Sequence, residues 1–572
     1  MRPRRHQRSR LRLGALVPRR AWRRERPPPA GLRPAPFSPR EKGGAGPESF
    51  ATAAVRPVPP RPPAALLAAA LLGATLVLLP ILYTIAEAAS VDVRDAAGLL
   101  FRPLVGRLLV NTISLVIAAS LATAVLGTTT AWLVERTDLP GRKIWSVLIA
   151  APLAVPPFIT SYAWVSMSNA LQDFAGALLV VTCAYYPLVY LPVAAALRGL
   201  DPALEETARS LGEGAWGCFL RIVLPQLRPA LLGGVLLVAL DTLTEFGAFA
   251  LLRFRTFTTE LYAQYRIGFD GPETSLIALV LVALCLVLLY AELRVRGDRR
   301  YARVGGGTRR SATPTPLGWT RGPVLAALAA LAVATLGVPI GMIVYWLLQH
   351  PQAATSPVAP TGLEILRATL NSVGYGLGGA AAALFLAAPI GYLAVRFPGR
   401  ASALIERAAY LAQGVPGIVV ALALISLTVQ WAGPLYQSPA LLILAYAILF
   451  LPLALVSVRA TLAQIPPGLE EAGRSLGASG VEVGWRVVAP MAASGLGAGA
   501  ALVFIFVSTE LTATLLLSPI GTRTLATEVW ANTSTVAFAA AAPFATLMLC
   551  LSLAVTWLFA NRLSRAPFDP WS

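Results

Sequence analysis

About twelve apolar stretches, each near twenty residues long, recur along this chain, and they constrain its fold more than any other feature. A helix needs roughly 20 apolar residues to cross a bilayer. Stretches such as Ala64–Ala86, Ala177–Leu197, Ser275–Glu292 and Phe544–Leu563 meet that length. The full set of predicted spans lies near 64–86, 108–134, 144–168, 177–197, 229–251, 274–293, 323–348, 368–394, 408–431, 440–458, 495–516 and 542–562. Composition points the same way. Only 13% of the 572 residues are charged and 56% are hydrophobic. A water-soluble domain has about 25% charged residues, so this chain lacks the means to cover a water-facing surface. The expected fold class is an all-α membrane protein.

The net charge of +19 raises nucleic acid as a partner, but its placement argues against that. Residues 1–63 hold sixteen Arg and Lys against three Glu. This segment is also rich in proline (Pro27-Pro28-Pro29, Pro59-Pro60-Arg61-Pro62-Pro63) and poor in clustered apolar residues, which reads as a disordered cytoplasmic tail. Its charged stretch is too long for a secretory signal. If the tail is cytoplasmic, every second loop should be basic. Arg136, Arg142 and Lys143 lie in such a loop, as do Arg198, Arg209, Arg221 and Arg228, the group Arg294–Arg321, Arg396, Arg400 and Arg407, Arg459, Arg474 and Arg486, and finally Arg562 and Arg565. Arg253, Arg255 and Arg266 weaken the contrast. Both termini are then expected in the cytoplasm of a cell whose plasma (inner) membrane holds the chain as a multi-pass protein.

The chain repeats itself. Asn111-Thr112 matches Asn371-Ser372, Leu191-Pro192 matches Leu451-Pro452, Thr244-Glu245 matches Thr509-Glu510, and Thr259-Glu260 matches Thr527-Glu528. The offset drifts from 260 to 268. Six helices per half is an even number, so both halves enter the membrane the same way. This is a parallel repeat about an axis along the membrane normal. The expected domains are the tail 1–63, a first half 64–293, a linker 294–322, a second half 323–565 and a short tail 566–572.

Two loops carry the strongest signal. The first reads Leu204-Glu205-Glu206-Thr207-Ala208-Arg209-Ser210-Leu211-Gly212, then nine residues, then Ile222-Val223-Leu224-Pro225. The second reads Leu469-Glu470-Glu471-Ala472-Gly473-Arg474-Ser475-Leu476-Gly477, then nine residues, then Val487-Val488-Ala489-Pro490. Leu204, Ala208 and Leu211 fall at i, i+4 and i+7, one apolar stripe on a short helix; Leu469, Gly473 and Leu476 repeat it. Glu205 with Arg209, and Glu470 with Arg474, stand four apart with the acid first, the favourable order for a surface pair. Gly212 and Gly477 are expected to end the helices. Such a helix–Gly–helix unit suits docking onto a cytoplasmic partner, and two copies imply a partner with two equivalent sites.

These loops resemble the EAA loop of binding-protein-dependent ABC importer permeases: Glu-Ala-Ala, three residues, Gly, nine residues, Ile-x-Leu-Pro. Thr207 and Gly473 depart from the two alanines, and Val487 and Ala489 soften the ending. The resemblance covers roughly residues 64–562. It implies a type I ABC importer permease fold, with coupling helices docked on two copies of a cytoplasmic ATPase and an extracytoplasmic solute-binding protein as the third component. The coupling-loop residues it implies are Glu205, Glu206, Ala208, Arg209, Leu211, Gly212 and Pro225, with Glu470, Glu471, Arg474, Leu476, Gly477 and Pro490 in the second copy. A fused pair of halves resembles ferric-iron and thiamine permeases, and the segments Asp241–Phe249, Arg255–Tyr265 and Glu510–Leu517 are most similar to the ferric-iron branch. Polyamine, phosphonate and sulfate remain alternative cargoes.

Asp241 and Glu245, four apart on one predicted helix, and Glu510 in the second half are intramembrane carboxylates. Such groups usually face a cavity or a partner, so they are the candidate translocation pathway, with a place near the outer helix end or a pair with a structural Arg as the alternative. No catalytic, cofactor-binding or metal-binding set is expected. The cysteines Cys183, Cys218, Cys285 and Cys550 are far apart, and the two histidines, His6 and His350, cannot form a cluster. The only lysines are Lys42, followed by Gly, and Lys143, followed by Ile, so no P-loop Gly-Lys-Ser/Thr is present. The chain is therefore expected to be a transport subunit, not an enzyme. An ion-coupled secondary transporter shares the helix count and the acids, but it has no need of paired coupling loops.

Overall fold

The computed structural model describes residues 62–268, 271–296, 314–349 and 359–564. The basic tail, most of the linker and the last eight residues lie outside that set. The first half runs α1 (Ala64–Ala88), α2 (Val93–Leu100), α3 (Pro103–Arg136), α4 (Arg142–Ala150), α5 (Pro157–Met167) and α6 (Phe174–Gly199). It continues through α7 (Pro202–Ser210), α8 (Ala215–Cys218), α9 (Leu224–Thr244), α10 (Gly247–Leu251), α11 (Phe257–Gly268) and α12 (Gly271–Arg296). The second half opens with α13 (Arg321–Ala332) and α14 (Val338–Leu348), then α15 (Gly362–Arg396), α16 (Arg400–Leu411), α17 (Gly417–Trp431) and α18 (Pro439–Gln464). It closes with α19 (Pro467–Ser475), α20 (Gly480–Val483), α21 (Ala489–Thr509), α22 (Thr512–Leu517), α23 (Leu525–Ser534) and α24 (Phe538–Ser564). From α3 onward the second half reproduces the first element by element.

Among the described residues, ten helices are long and apolar enough to cross a membrane, and two further bent pairs bring the total to twelve when each pair is counted as one span. The bends correct the predicted spans 144–168 and 408–431. Arg142–Ala154 and Pro157–Met167 meet at 91°, and Arg400–Gly414 and Gly417–Trp431 at 105°. Proline is the cause in both. Val155 precedes Pro156-Pro157 and Val415 precedes Pro416, and each valine is pushed to extended backbone (φ −102°, ψ 112° and φ −104°, ψ 119°). The predicted spans 229–251 and 495–516 also need correcting. Their helices stop at Thr244 and Thr509, and the chain restarts as the short α10 and α22.

Prolines inside long helices act more gently. Among the described residues, three five-residue π-helical turns, Phe219–Val223, Val333–Gly337 and Gly484–Val488, each end two residues before a proline: Pro225, Pro339 and Pro490. The proline ring lacks an N–H and crowds the carbonyl one turn back, and the wider turn relieves both. At Pro225 the Gln226 side chain donates to the Ile222 carbonyl at 3.0 Å.

Each half has a three-helix centre, α3–α6–α9 and α15–α18–α21, and the opening helix of each half crosses over. α1 packs on α15, α16 and α17, while α13 meets α4 and α14 meets α5. One buried cluster accordingly joins Phe158 and Tyr162 of α5, Phe249 of α10, Ile343 of α14 and Phe544 of α24. The outside is apolar too. Val110, Ile117 and Val125 on α3, and their counterparts Leu370, Leu377 and Phe385 on α15, are all exposed. Lipid, not water, is the solvent that makes such a face stable.

Candidate coupling and translocation sites

The two loops form matching helix–Gly–helix units. α7 ends at Gly212 (φ +90°) and α19 at Gly477 (φ +88°). Both are left-handed closures, with Glu213 N–H donating to the Ala208 carbonyl at 3.1 Å and Ala478 N–H to the Gly473 carbonyl at 3.2 Å. Nothing lies within 4 Å of a β-carbon built on either glycine, so backbone conformation, not space, requires glycine there.

The orientation of these helices differs from the expected apolar stripe. The buried positions are Glu205 (7% exposed) and Ala208 in α7, and Glu470 (2%) in α19, whereas Leu211 (80%) and Leu476 (88%) stand in the open. Glu206 and Glu471 are exposed beside them. A β-carbon on Gly473 would come within 3.0 Å of Val483 Cγ2. The first loop has Ala208 at that position, and the smaller Cys218 where Val483 stands, so the two loops trade volume between these positions.

The glutamates of the expected surface pairs also reach arginines on other helices. Glu205 is 3.1 Å from Nη2 of Arg136, both buried, and the same guanidinium donates to the Leu197 carbonyl at 3.0 Å. The Arg209 side chain lies outside the described residues. Glu470 accepts from Nε of Arg396 at 2.6 Å and from the Tyr392 hydroxyl at 2.6 Å, and Arg396 Nη2 donates to the Ile465 carbonyl at 2.9 Å. The Arg474 pair exists, at 3.3 Å, but it is the exposed member of that set. Arg136 and Arg396 are the last residues of α3 and α15. In the sequence they stand out only as loop charges, although their 260-residue offset is that of the repeat.

At the opposite end of α3 and α15, residues matched separately in the repeat prove to be linked through an arginine. Asn111 donates to the Arg255 carbonyl at 3.0 Å, and Asn371 to the Arg523 carbonyl at 2.9 Å. Those arginines pair with Glu260 (3.0 Å) and Glu528 (3.4 Å) at the starts of α11 and α23.

Glu245 and Glu510 occupy the helix breaks. Glu245 Oε1 accepts from the Ala248 N–H at 2.9 Å and Oε2 from the Tyr185 hydroxyl at 3.1 Å. Glu510 accepts from the N–H groups of Thr512, Ala513 and Thr514 at 2.9–3.2 Å. Each carboxylate thus caps the short helix that follows it. Asp241 lies one turn before Glu245, and its repeat counterpart is the apolar Phe506. Just beyond the breaks, Tyr262 of α11 and Trp530 of α23 meet edge to face at 6.2 Å, with Phe246 5.3 Å from Trp530. Tyr262 and Trp530 are equivalent under the repeat. Equivalent residues touch only where the two-fold axis passes, so this aromatic contact marks the axis between the halves. Among the described residues, no group of three His, Cys, Asp or Glu could hold a metal ion.

Residues 124–303 and 379–563 each match the family described as binding-protein-dependent transport system inner membrane component. The chain is 34% identical over 496 residues to the Fe(3+)-transport system permease protein FbpB 2 of Haemophilus influenzae, an alignment covering 86% of this chain and 97% of the relative. It is 31% identical over 204 residues to the sulfate transport system permease protein CysT of Escherichia coli, covering 32% of this chain and 74% of that protein. The molybdenum transport system permease protein ModB of Escherichia coli is 27% identical over 196 residues, covering 30% and 85%. These matches set aside the ion-coupled secondary transporter. Two family copies in one polypeptide, a parallel six-helix repeat and paired loop helices place this chain in the binding-protein-dependent transport system inner membrane component family, as a fused two-domain, multi-pass permease of an ABC importer.

Proposed function

We propose that this permease carries ferric iron, delivered by an extracytoplasmic solute-binding protein, into the cytoplasm. The supporting observation is the alignment with an iron-transport permease across both halves and nearly the whole of that relative, where the sulfate and molybdenum relatives each align with about a third of this chain. Energy comes from two copies of a separate ATPase subunit, seated on α7–α8 and α19–α20. Their contact surface is the exposed face of each loop helix, with Leu211 and Glu206 in one and Leu476 and Glu471 in the other. On this reading the loop end of the bundle and both termini are cytoplasmic, and the halves 64–293 and 323–565 move about the axis marked by Tyr262 and Trp530. The pathway runs along that axis past the breaks at Glu245 and Glu510, with Asp241 on the first-half side. The decisive test is ATP hydrolysis by the reconstituted permease, ATPase and binding protein. Stimulation by ferric-loaded binding protein is expected. Stimulation by thiamine or sulfate in place of iron would keep the importer and overturn the cargo.

A further inference from the structure

The loop helices and the far side of the bundle are joined by a short chain of polar contacts, buried at the loop end and exposed at the far end. α7 packs against α8 and the Phe219–Val223 turn, and α19 against α20 and the Gly484–Val488 turn. Each loop helix is tied to a long membrane helix by an ion pair: Glu205 to Arg136, and Glu470 to Arg396. Each guanidinium also holds the carbonyl of Leu197 or Ile465, where the chain leaves α6 or α18 for its loop helix. Arg136 and Arg396 therefore sit at the meeting point of three elements. Burial does not require charge here, because an apolar pair of similar volume is commonly at least as stable as a buried ion pair. From Arg136 back to Asn111, α3 is one uninterrupted helix of about 37 Å at 1.5 Å per residue. Asn111 grips the Arg255 carbonyl just before α11, which carries Tyr262 to the axis. The second half repeats every step through Arg396, Asn371, Arg523 and Trp530.

We infer that the buried pairs Glu205–Arg136 and Glu470–Arg396 are positioning joints. They pass the motion of the loop helices to α3 and α15 as rods, and through Asn111 and Asn371 to the aromatic contact on the axis. This inference rests on the loop helices being the ATPase contacts. A joint must hold direction while the elements around it tilt, and a charged fork bound to a carboxylate and a carbonyl does so. Contiguity alone does not establish coupling, so the test reads motion and stoichiometry.

The double variant Glu470→Leu/Arg396→Met replaces the second pair by apolar side chains and is chosen to fold; Glu205→Leu/Arg136→Met does the same in the first half. Both are made in the full complex of permease, ATPase and binding protein. Spin labels go on Ile267→Cys and Thr535→Cys, exposed sites at the C-terminal ends of α11 and α23, in a Cys550→Ser background because Cys550 is exposed. In the parent complex, a non-hydrolysable ATP analogue is expected to change the distance between the labels. In each double variant the ATPase should still co-purify, the distance change should disappear, and substrate carried per ATP should fall at least tenfold. A wild-type distance change, or an unchanged transport ratio, overturns the inference. So does loss of the ATPase from the double variants, which would make the pairs docking elements. Failure of the ATPase to bind the parent permease would instead overturn the assignment of the loops, a distinguishable result.

Discussion

The two loop helices are held at the same place by different chemistry. In the second half Glu470 gathers Arg396, Tyr392 and Arg474. In the first half Trp132 stands where Tyr392 would be and packs edge to face on Phe219 at 4.9 Å. The first half also has a device the second lacks among the described residues. The end of the linker is stitched to the chain after α3, with Thr315 N–H donating to the Arg136 carbonyl at 2.8 Å, Leu317 N–H to Asp138 Oδ1 at 2.8 Å, and Arg321 pairing with Asp138 at 2.8 Å. One joint is braced by a tyrosine and the other by a connecting segment that exists only because the halves are fused. A repeat preserves the position of a constraint more strictly than the side chains that satisfy it.

The largest expected effect tests whether the loops are equivalent at all. Proline cannot take the left-handed backbone of Gly212 or Gly477. Gly212→Pro and Gly477→Pro should each lose ATPase co-purification and drop transport by more than ~tenfold, about 1.4 kcal/mol of coupling, with membrane insertion unchanged. Retained association in only one of them would break the equivalence. Next come Leu211→Ser and Leu476→Ser. Both leucines are exposed, so thermal stability should move by less than about 0.5 kcal/mol while ATPase affinity falls, measured by titrating detergent-solubilised permease with the ATPase. A smaller effect should separate the halves. Tyr392→Phe removes a hydrogen bond to a buried carboxylate and should cost about 1.5–3 kcal/mol, whereas Trp132→Tyr leaves the first joint's ion pair in place and should cost less; unfolding in detergent compares them. Smallest and equal should be Asn111→Ala and Asn371→Ala, each losing one side-chain bond of about 1 kcal/mol. Unequal losses there would show that the symmetry of the bundle does not extend to its far end.

Much of this architecture is legible in the residues themselves. Pairs such as Leu191-Pro192 and Leu451-Pro452 expose the repeat, and the spacing from Glu206 to Pro225 and from Glu471 to Pro490 locates the two loops. The bends are partly legible, since Val155-Pro156-Pro157 and Val415-Pro416 lie inside apolar runs whose hydropathy conceals them. The breaks at Glu245 and Glu510 are not, because each depends on a carboxylate folding back onto N–H groups that exist only once the next helix has formed.

Local sequence by itself determined most of the spanning segments, the duplication and the helix-ending glycines, because length, hydropathy and backbone preference act over a few residues. Only the tertiary structure decided that Glu205 and Glu470 turn inward to Arg136 and Arg396, that α1 and α14 cross to the other half, and that Tyr262 meets Trp530. Those choices are contacts between residues at least 69 positions apart. An i,i+4 rule offered Glu470 the nearby Arg474, and the guanidinium of Arg396 at the end of another helix provided the closer partner.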